Sequence, residues 1–252
     1  MLTDAHCHFD MPAFDGRREE ILAECERVGV GHLVIPGVRA PDWGRIRHLT
    51  VTDGRLSPCY GIHPWFVREH GHDDLDRLRE WLIRERPLAL GECGLDRLHG
   101  DLDEQMPWFE SQVCLAQELD LPLVIHSVRT HDEVGVVLRR HRPDIPVLVH
   151  GFSGSPEQAQ SLVQSGVWLG IGGVVTYERA RKTRRAVATA PLEALVLETD
   201  APDMPPAGVA KGGNRPDYLP RVLAALTELR PEPADVICEQ LVHNVARLYG
   251  WE

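Results

Sequence analysis

The chain has 252 residues, 43% of them hydrophobic and 26% charged, and its 27 Lys+Arg against 38 Asp+Glu give a formal net charge of −11. That balance suits a globular chain able to bury a sizeable core, and it excludes a protein that holds nucleic acid by neutralising phosphates over a broad basic face. No apolar run approaches the roughly 20 residues of a membrane span, and the first residues lack a signal-peptide pattern. Six scattered cysteines without a CxxC pair predict reduced thiols, so a cytoplasmic protein with no membrane contact and no obligate protein partner is expected.

Taken in chain order, an apolar opening at 1–5 predicts a first strand that runs into DAHCH at 4–8. In extended chain, side chains alternate faces, so Asp4, His6 and His8 would share one. RREEILAECERVG at 17–29 has helical spacing of its apolar residues, and HLVIPG at 32–37 and LSPCYG at 56–61 read as buried strands. A helix is predicted over 73–86, a strand over 87–92, a helix over 106–120, and strands over 122–127 and 146–151. A helix at 155–166 opens on Ser155-Pro156, a capping residue followed by a favoured first helical residue. Strands at 167–172 and 194–199 follow, then a Pro- and Gly-rich loop at 202–216 and helical stretches from about 218 to 229 and 234 to 248. Eight continuous apolar strands alternating with amphipathic helices predict an α/β fold, a (β/α)8 TIM barrel occupying 1–252 as one domain; a doubly wound open sheet is the rival.

In such a barrel the active site lies at the carboxyl ends of the strands. There the sequence places His6 and His8, His63, Glu92, His126, His150, Glu198 and Asp200. Each alone has an ordinary explanation, such as a histidine bonded to backbone or an aspartate capping a turn. Together, four imidazoles (His6, His8, His126, His150) and two carboxylates (Glu92, Asp200) make a donor set for divalent ions such as Zn2+, Mn2+ or Ni2+. Six donors exceed the need of one tetrahedral ion, whereas a shared carboxylate would hold two ions roughly 3.5–4 Å apart. Asp4 and Glu198 are candidates for orienting imidazoles or ordering loops, with plain strand-end solvation as the alternative.

The blocks DAHCHFD, GIHP, GECGLD, LPLVIHS, VHGFSG and LETDAPDMP, followed by NRP at 214–216, resemble the signature blocks of the TatD-related metal-dependent deoxyribonucleases, within the wider amidohydrolase-like barrel enzymes. The resemblance implies that His6 and His8 are a ligand pair, Glu92 the bridging carboxylate, His126 and His150 ligands of a second ion, and Asp200 a metal-binding carboxylate that handles the proton. It implies Mg2+-supported activity, and it puts His63 near the site, beside the ligands or on a phosphate. Cys93 departs from the often apolar position in the GExGLD block; it would point away from Glu92 and act as a packing substitution.

The expected function is therefore a two-metal phosphodiester hydrolase, a deoxyribonuclease of the 3′–5′ exonuclease type acting on single-stranded DNA or an exposed end, with Glu92 and Asp200 as its catalytic carboxylates. The alternative is a small-molecule hydrolase of a cyclic amide, lactone or phosphoester on the same barrel. Phosphate contacts are expected from Arg129, Arg181 and Arg215, with Arg97 as a single candidate of the same kind. Arg181 belongs to the basic segment at 178–186, which reads equally as a solvated helix face. Trp65, Phe66, Phe152 and Tyr177 follow strand ends, where an aromatic could stack a terminal base, but core or loop packing is the expected role for each.

Overall fold

The computed structural model describes residues 1–71 and 73–251. Eight parallel strands form one sheet in sequential order: β1 (Leu2–Asp4), β2 (Val30–Pro36), β3 (Leu56–Tyr60), β4 (Ala89–Asp96), β5 (Leu123–Val128), β6 (Val147–Val149), β7 (Val167–Ile171) and β8 (Leu195–Leu197). The helices α1 (Arg18–Arg27), α2 (Trp43–Thr52), α3 (Asp73–Glu85), α4 (Leu102–Glu118), α5 (His131–His141), α6 (Pro156–Gln164) and α7 (Arg181–Thr189) fall between the strands, and α8 (Leu219–Leu229) and α9 (Ala234–Tyr249) follow. The TIM barrel is thus present, and the open-sheet rival is excluded by the bonds that bring the last strand back to the first. Ala5 N–H donates to Leu197 O (2.9 Å), Asp200 N–H to His6 O (2.9 Å) and His8 N–H to Ala201 O (2.9 Å).

Two apolar layers carry the stability. Alternate residues Val34, Cys59, Ala89, Val124, Leu148 and Val196 fill the barrel, closed by Val245, Leu248 and Tyr249 of α9. The Tyr249 hydroxyl donates to Ala5 O (2.9 Å), pinning that plug beneath the first strand. The opposite faces of the strands, including Leu33, Ile35, Leu90, Ile125 and Leu169, pack under the helices. Among the described residues, no helix is long and apolar enough to cross a membrane.

Six helices lie where the periodicity put them. For α6 the expected start is present in full, Ser155 and Gln158 forming a reciprocal capping box. No helix is predicted over α2 or α5, and α7 is anticipated only as the solvated helix face open to the basic segment at 178–186. α2 buries only Trp43 and Ile46. α5 contains Gly135 within a valine-rich, strand-like run. α7 buries only Thr183, Ala186 and Val187 beneath its arginines. α4 begins earlier than read, at Leu102, because the Asp101 carboxylate accepts from Asp103 N–H (3.0 Å) and caps it.

β4 positions the site. Its pairing with β5 shifts register between Leu90 and Cys93. Leu90 lies in the outer layer, and so do Cys93 and Leu95, although they have opposite parity. One inserted residue flips every later side chain, so the irregularity turns Glu92 into the barrel mouth and leaves Cys93 outside, as expected for a packing substitution. Just beyond it Gly94 pairs with His126 at φ +137°, and a Cβ there would stand 2.1 Å from the His126 carbonyl oxygen. Gly94→Ala should therefore cost about 3 kcal/mol or more. Gly29→Ala, at φ +84° with open space around it, should cost only about 1–2 kcal/mol. Urea unfolding of both variants checks this, and equal costs would contradict the close-approach role of Gly94.

Candidate metal centre

The carboxyl ends of the strands bring together the six predicted donors. β1 stops at Asp4, so His6 and His8 lie just past the pairing, but they still converge, Nε2 to Nε2, at 3.4 Å. Glu92 Oε2 lies 3.3 Å from His6 Nε2 and 3.4 Å from His8 Nε2. Asp200 Oδ1 lies 3.5 Å and 3.4 Å from the same two nitrogens. These are the separations that neighbouring donors take around one ion bound at roughly 2.0–2.2 Å. The other carboxylate oxygen, Glu92 Oε1, faces a different set: His150 Nε2 at 2.7 Å, His126 Nδ1 at 2.9 Å and His63 Nε2 at 3.2 Å. Glu92 thus stands between two groups of imidazoles with one oxygen toward each.

His63 is closer to this centre than its sequence reading beside the ligands or on a phosphate. Its Nε2 belongs to the donor group with Glu92 and His126, while its Nδ1 accepts from Trp65 N–H (3.2 Å). Asp96 was passed over by the sequence reading, although it closes the GECGLD block. Its Oδ2 accepts from His126 Nε2 (3.1 Å) and from Trp65 Nε1 (2.6 Å), and that bond fixes His126 with Nδ1 toward Glu92. Glu198 sits behind His150, accepting from Gly151 N–H, with Oε1 3.8 Å from His150 Nδ1. Asp4 orders the rim instead of orienting an imidazole: Oδ1 accepts from Thr199 N–H (2.9 Å) and Oδ2 from the Thr199 hydroxyl. Asn214, in the NRP block, donates to Thr199 O (2.7 Å) and Asp203 O (2.6 Å), tying the long loop to the same place.

The electrostatics are those of a centre built for cations. Burial alone would raise the Glu92 carboxyl, but the His150, His63 and His6 imidazoles outweigh it and hold Glu92 well below the usual range. His6 is pushed well down by burial and by His150, whose ring stacks on it at 3.8 Å between centroids. His150 is raised against its burial by Glu92 and Glu198. Asp200 is pushed up to about 6 by burial, against the pull of His150 and His8. Glu92 Oε2, His6 Nδ1 and Glu198 Oε2 are buried without a hydrogen-bond partner among the described residues. A buried carboxylate oxygen aimed at two imidazole nitrogens, yet hydrogen-bonded to neither, fits a divalent ion and is otherwise costly.

The cleft above these donors has a volume of about 470 Å3, with Met11, Val38, Trp65, Phe66, Met204 and Pro205 forming its apolar walls. Lys211 is the one Lys or Arg among the lining residues. The arginines expected on phosphate are not on this wall. Arg215 pairs with Asp217 (2.7 Å) and reaches toward Glu20 (3.9 Å). Arg97 pairs with Glu133. Arg129 is exposed beyond β5, and Arg181 is exposed at the start of α7, outside the cleft. Phe152 is buried against His131, and the Tyr177 hydroxyl donates to Pro205 O (2.9 Å), so both pack as expected. Lys211, Met11 and Met204 come from irregular loops, where no periodicity marks them.

An (β/α)8 barrel whose carboxyl rim gathers imidazoles about a shared carboxylate is the architecture of a metal-dependent hydrolase. The sequence model of the TatD related DNase family matches residues 3–250. The metal-dependent hydrolase YjjV of Escherichia coli (strain K12) is 42% identical, covering 98% of this chain and 97% of its own. The crystal structure of YjjV, a TatD homolog, superposes with a TM-score of 0.95 over 99% of this chain and 98% of that one. The 3′-5′ ssDNA/RNA exonuclease TatD of Pantoea ananatis is 30% identical, covering 94% of this chain and 95% of its own. The chain belongs to the TatD related DNase family and is a metal-dependent hydrolase.

One buried histidine beside the centre gives a pH test. His131, the first residue of α5, hydrogen-bonds through Nδ1 to the Ser127 hydroxyl (2.8 Å) and is lowered from 6.5 to about 4 by burial, then by the Lys182 charge. As pH falls below 6.5 the unfolded chain takes up this proton before the folded one, so the stability His131 contributes is lost as pH drops toward 4. Compared with His131→Asn, the native chain should lose up to about 3 kcal/mol across that window and nothing above pH 7. Urea unfolding at a series of pH values checks this; parallel curves for the two proteins would contradict it.

Proposed function

We propose that the protein is a phosphodiester hydrolase using two divalent ions, a deoxyribonuclease of the 3′–5′ exonuclease type acting on single-stranded DNA or an exposed end. The observation that carries this reading is the disposition of Glu92, with Oε2 toward His6 and His8 and Oε1 toward His126, His150 and His63. The exonuclease name borne by the Pantoea relative supplies the substrate class.

His6, His8, Glu92 and Asp200 would hold one ion, and Glu92, His126 and His150, with His63 beside them, the other. The imidazole-rich donor set suits Zn2+, Mn2+ or Ni2+, while the family resemblance implies Mg2+. Bound there, the ions would lower the pKa of water toward neutrality and offset the charge of a phosphodiester. The remaining work falls to the chain. Asp200, with Oδ1 beside His6 and His8, accepts the proton of the attacking water. Asp96 keeps the His126 ring in place through its hydrogen bond, and Glu198 places a negative charge behind His150. Lys211 offers a cation to a phosphate at the cleft mouth.

The apolar walls and the small cation count also suit a compact substrate, which keeps a cyclic amide, lactone or small phosphoester in view as the second reading. Both are tested together by incubating metal-loaded protein, native and Asp200→Asn, with end-labelled single-stranded DNA and with a panel of lactones and cyclic amides. The native protein should shorten DNA from one end. Asp200→Asn should lose roughly 10²-fold or more in kcat with unchanged thermal unfolding. Full activity in Asp200→Asn would overturn the proton role. Hydrolysis of the panel with intact DNA would replace the nuclease reading with the second one.

A further inference from the structure

Trp65 is the most exposed of the large apolar residues lining the cleft, ahead of Met204. It lies two residues beyond His63, in the turn after β3, and is 48% exposed. It is also held rigidly. The Nε1–H donates to Asp96 Oδ2 (2.6 Å), and the His99 ring lies against the indole at 4.1 Å, tilted by 35°. Trp65 lines the cleft on one side and a neighbouring hollow, shared with His99, on the other. His63 and His126 meet it nearly at right angles, at 5.2 and 6.2 Å between centroids. The carboxylate that anchors the indole is the one that holds His126, so the flat surface is in fixed register with the donors around Glu92. Phe66 continues the wall, and of the lysines and arginines only Lys211 joins the lining. The recognition chemistry available is therefore a flat aromatic face beside the reactive centre, with one cation and no basic track.

We propose that Trp65 is a stacking platform for a nucleobase flanking the scissile phosphodiester, so that the enzyme selects ends that carry a base and grips a terminal nucleotide, not a long tract. This rests on the phosphodiesterase reading above. Every base has a π-face, so the platform discriminates base from no base and is tolerant of sequence.

The test crosses a protein change with a substrate change. Short oligothymidylates are compared with the same oligomers carrying an abasic residue at the last or the next-to-last position, in native protein, Trp65→Ala and Trp65→Phe. Both cleavage and equilibrium binding by calorimetry are read. The native protein should prefer the base-bearing oligomer by roughly 5- to 150-fold at one of the two positions, and Trp65→Ala should bring that ratio close to one. Trp65→Phe, which keeps a ring but cannot donate to Asp96, should retain most of the ratio while slowing both substrates. A purely structural role for Trp65 would lower both substrates equally and leave the ratio as in the native protein, which overturns the proposal. Cleavage by native protein with an unaltered ratio in Trp65→Ala sinks the platform and spares the nuclease. Absence of cleavage, with base-dependent binding lost in Trp65→Ala, sinks the nuclease and spares the platform. Absence of base-dependent binding and cleavage in the native protein sinks both.

Discussion

The architecture of the site depends on one carboxylate placed among imidazoles. Glu92 is nearly inaccessible to water, and it has His150, His126 and His63 around one oxygen and His6 and His8 before the other. An anion buried this way is tolerable only because those rings surround it, and the rings are tolerable so close together only because it lies between them. The opposed pKa directions of His6 and His150, two stacked rings, follow from this crowding: two imidazolium ions could not face each other at that distance. Divalent ions bound there would relieve the same crowding by taking the inward nitrogens as ligands and giving Glu92 Oε2 the partner it lacks among the described residues.

That arrangement reaches back into the strands. The register shift in β4 decides whether Glu92 points into the mouth or into the helix layer, and Gly94 lets β4 and β5 approach closely enough to set Glu92 beside His126. Across the mouth, the hydrogen bonds joining residues 5–8 to residues 197–201 set the spacing of His6, His8 and Asp200. Asp4 reinforces the seam through Thr199, and Asn214 fastens the loop that brings Met204, Pro205 and Lys211 over the cleft. The site is thus a consequence of barrel closure, and it has a rigid base and a loop-built wall.

How much of this was legible in the chain follows from where each signal resides. The barrel could be read because eight apolar runs and six helices carry strong periodicity, and the donors because histidines and acids recur at the ends of those runs. α2 and α5 were silent because Thr50, Val51 and Thr52 in the one, and Val134, Gly135, Val136 and Val137 in the other, are poor helix formers, and α7 showed only as a basic segment. The β4 register shift leaves no mark in composition, yet it reverses which side chains face inward. Asp96 was visible as a letter in GECGLD, but its hold on both His126 and Trp65 exists only across two loops. The arginines after strand ends do not line the cleft but turn to Asp217, Glu133 or solvent, directions that a position in the sequence does not reveal.

A cleft walled by apolar residues with a single lysine, on a chain of net charge −11, implies that affinity for any polyanion is concentrated at the centre and not spread over the surface. The central claim is then the bridging place of Glu92. Crystals soaked in Mn2+ and measured at its absorption edge test it most directly. The account predicts two anomalous peaks, one on each side of the Glu92 carboxylate, the first beside His6 and His8 and the second beside His126 and His150. A single peak that leaves one of those histidine pairs unliganded, or peaks that leave Glu92 untouched, would contradict it.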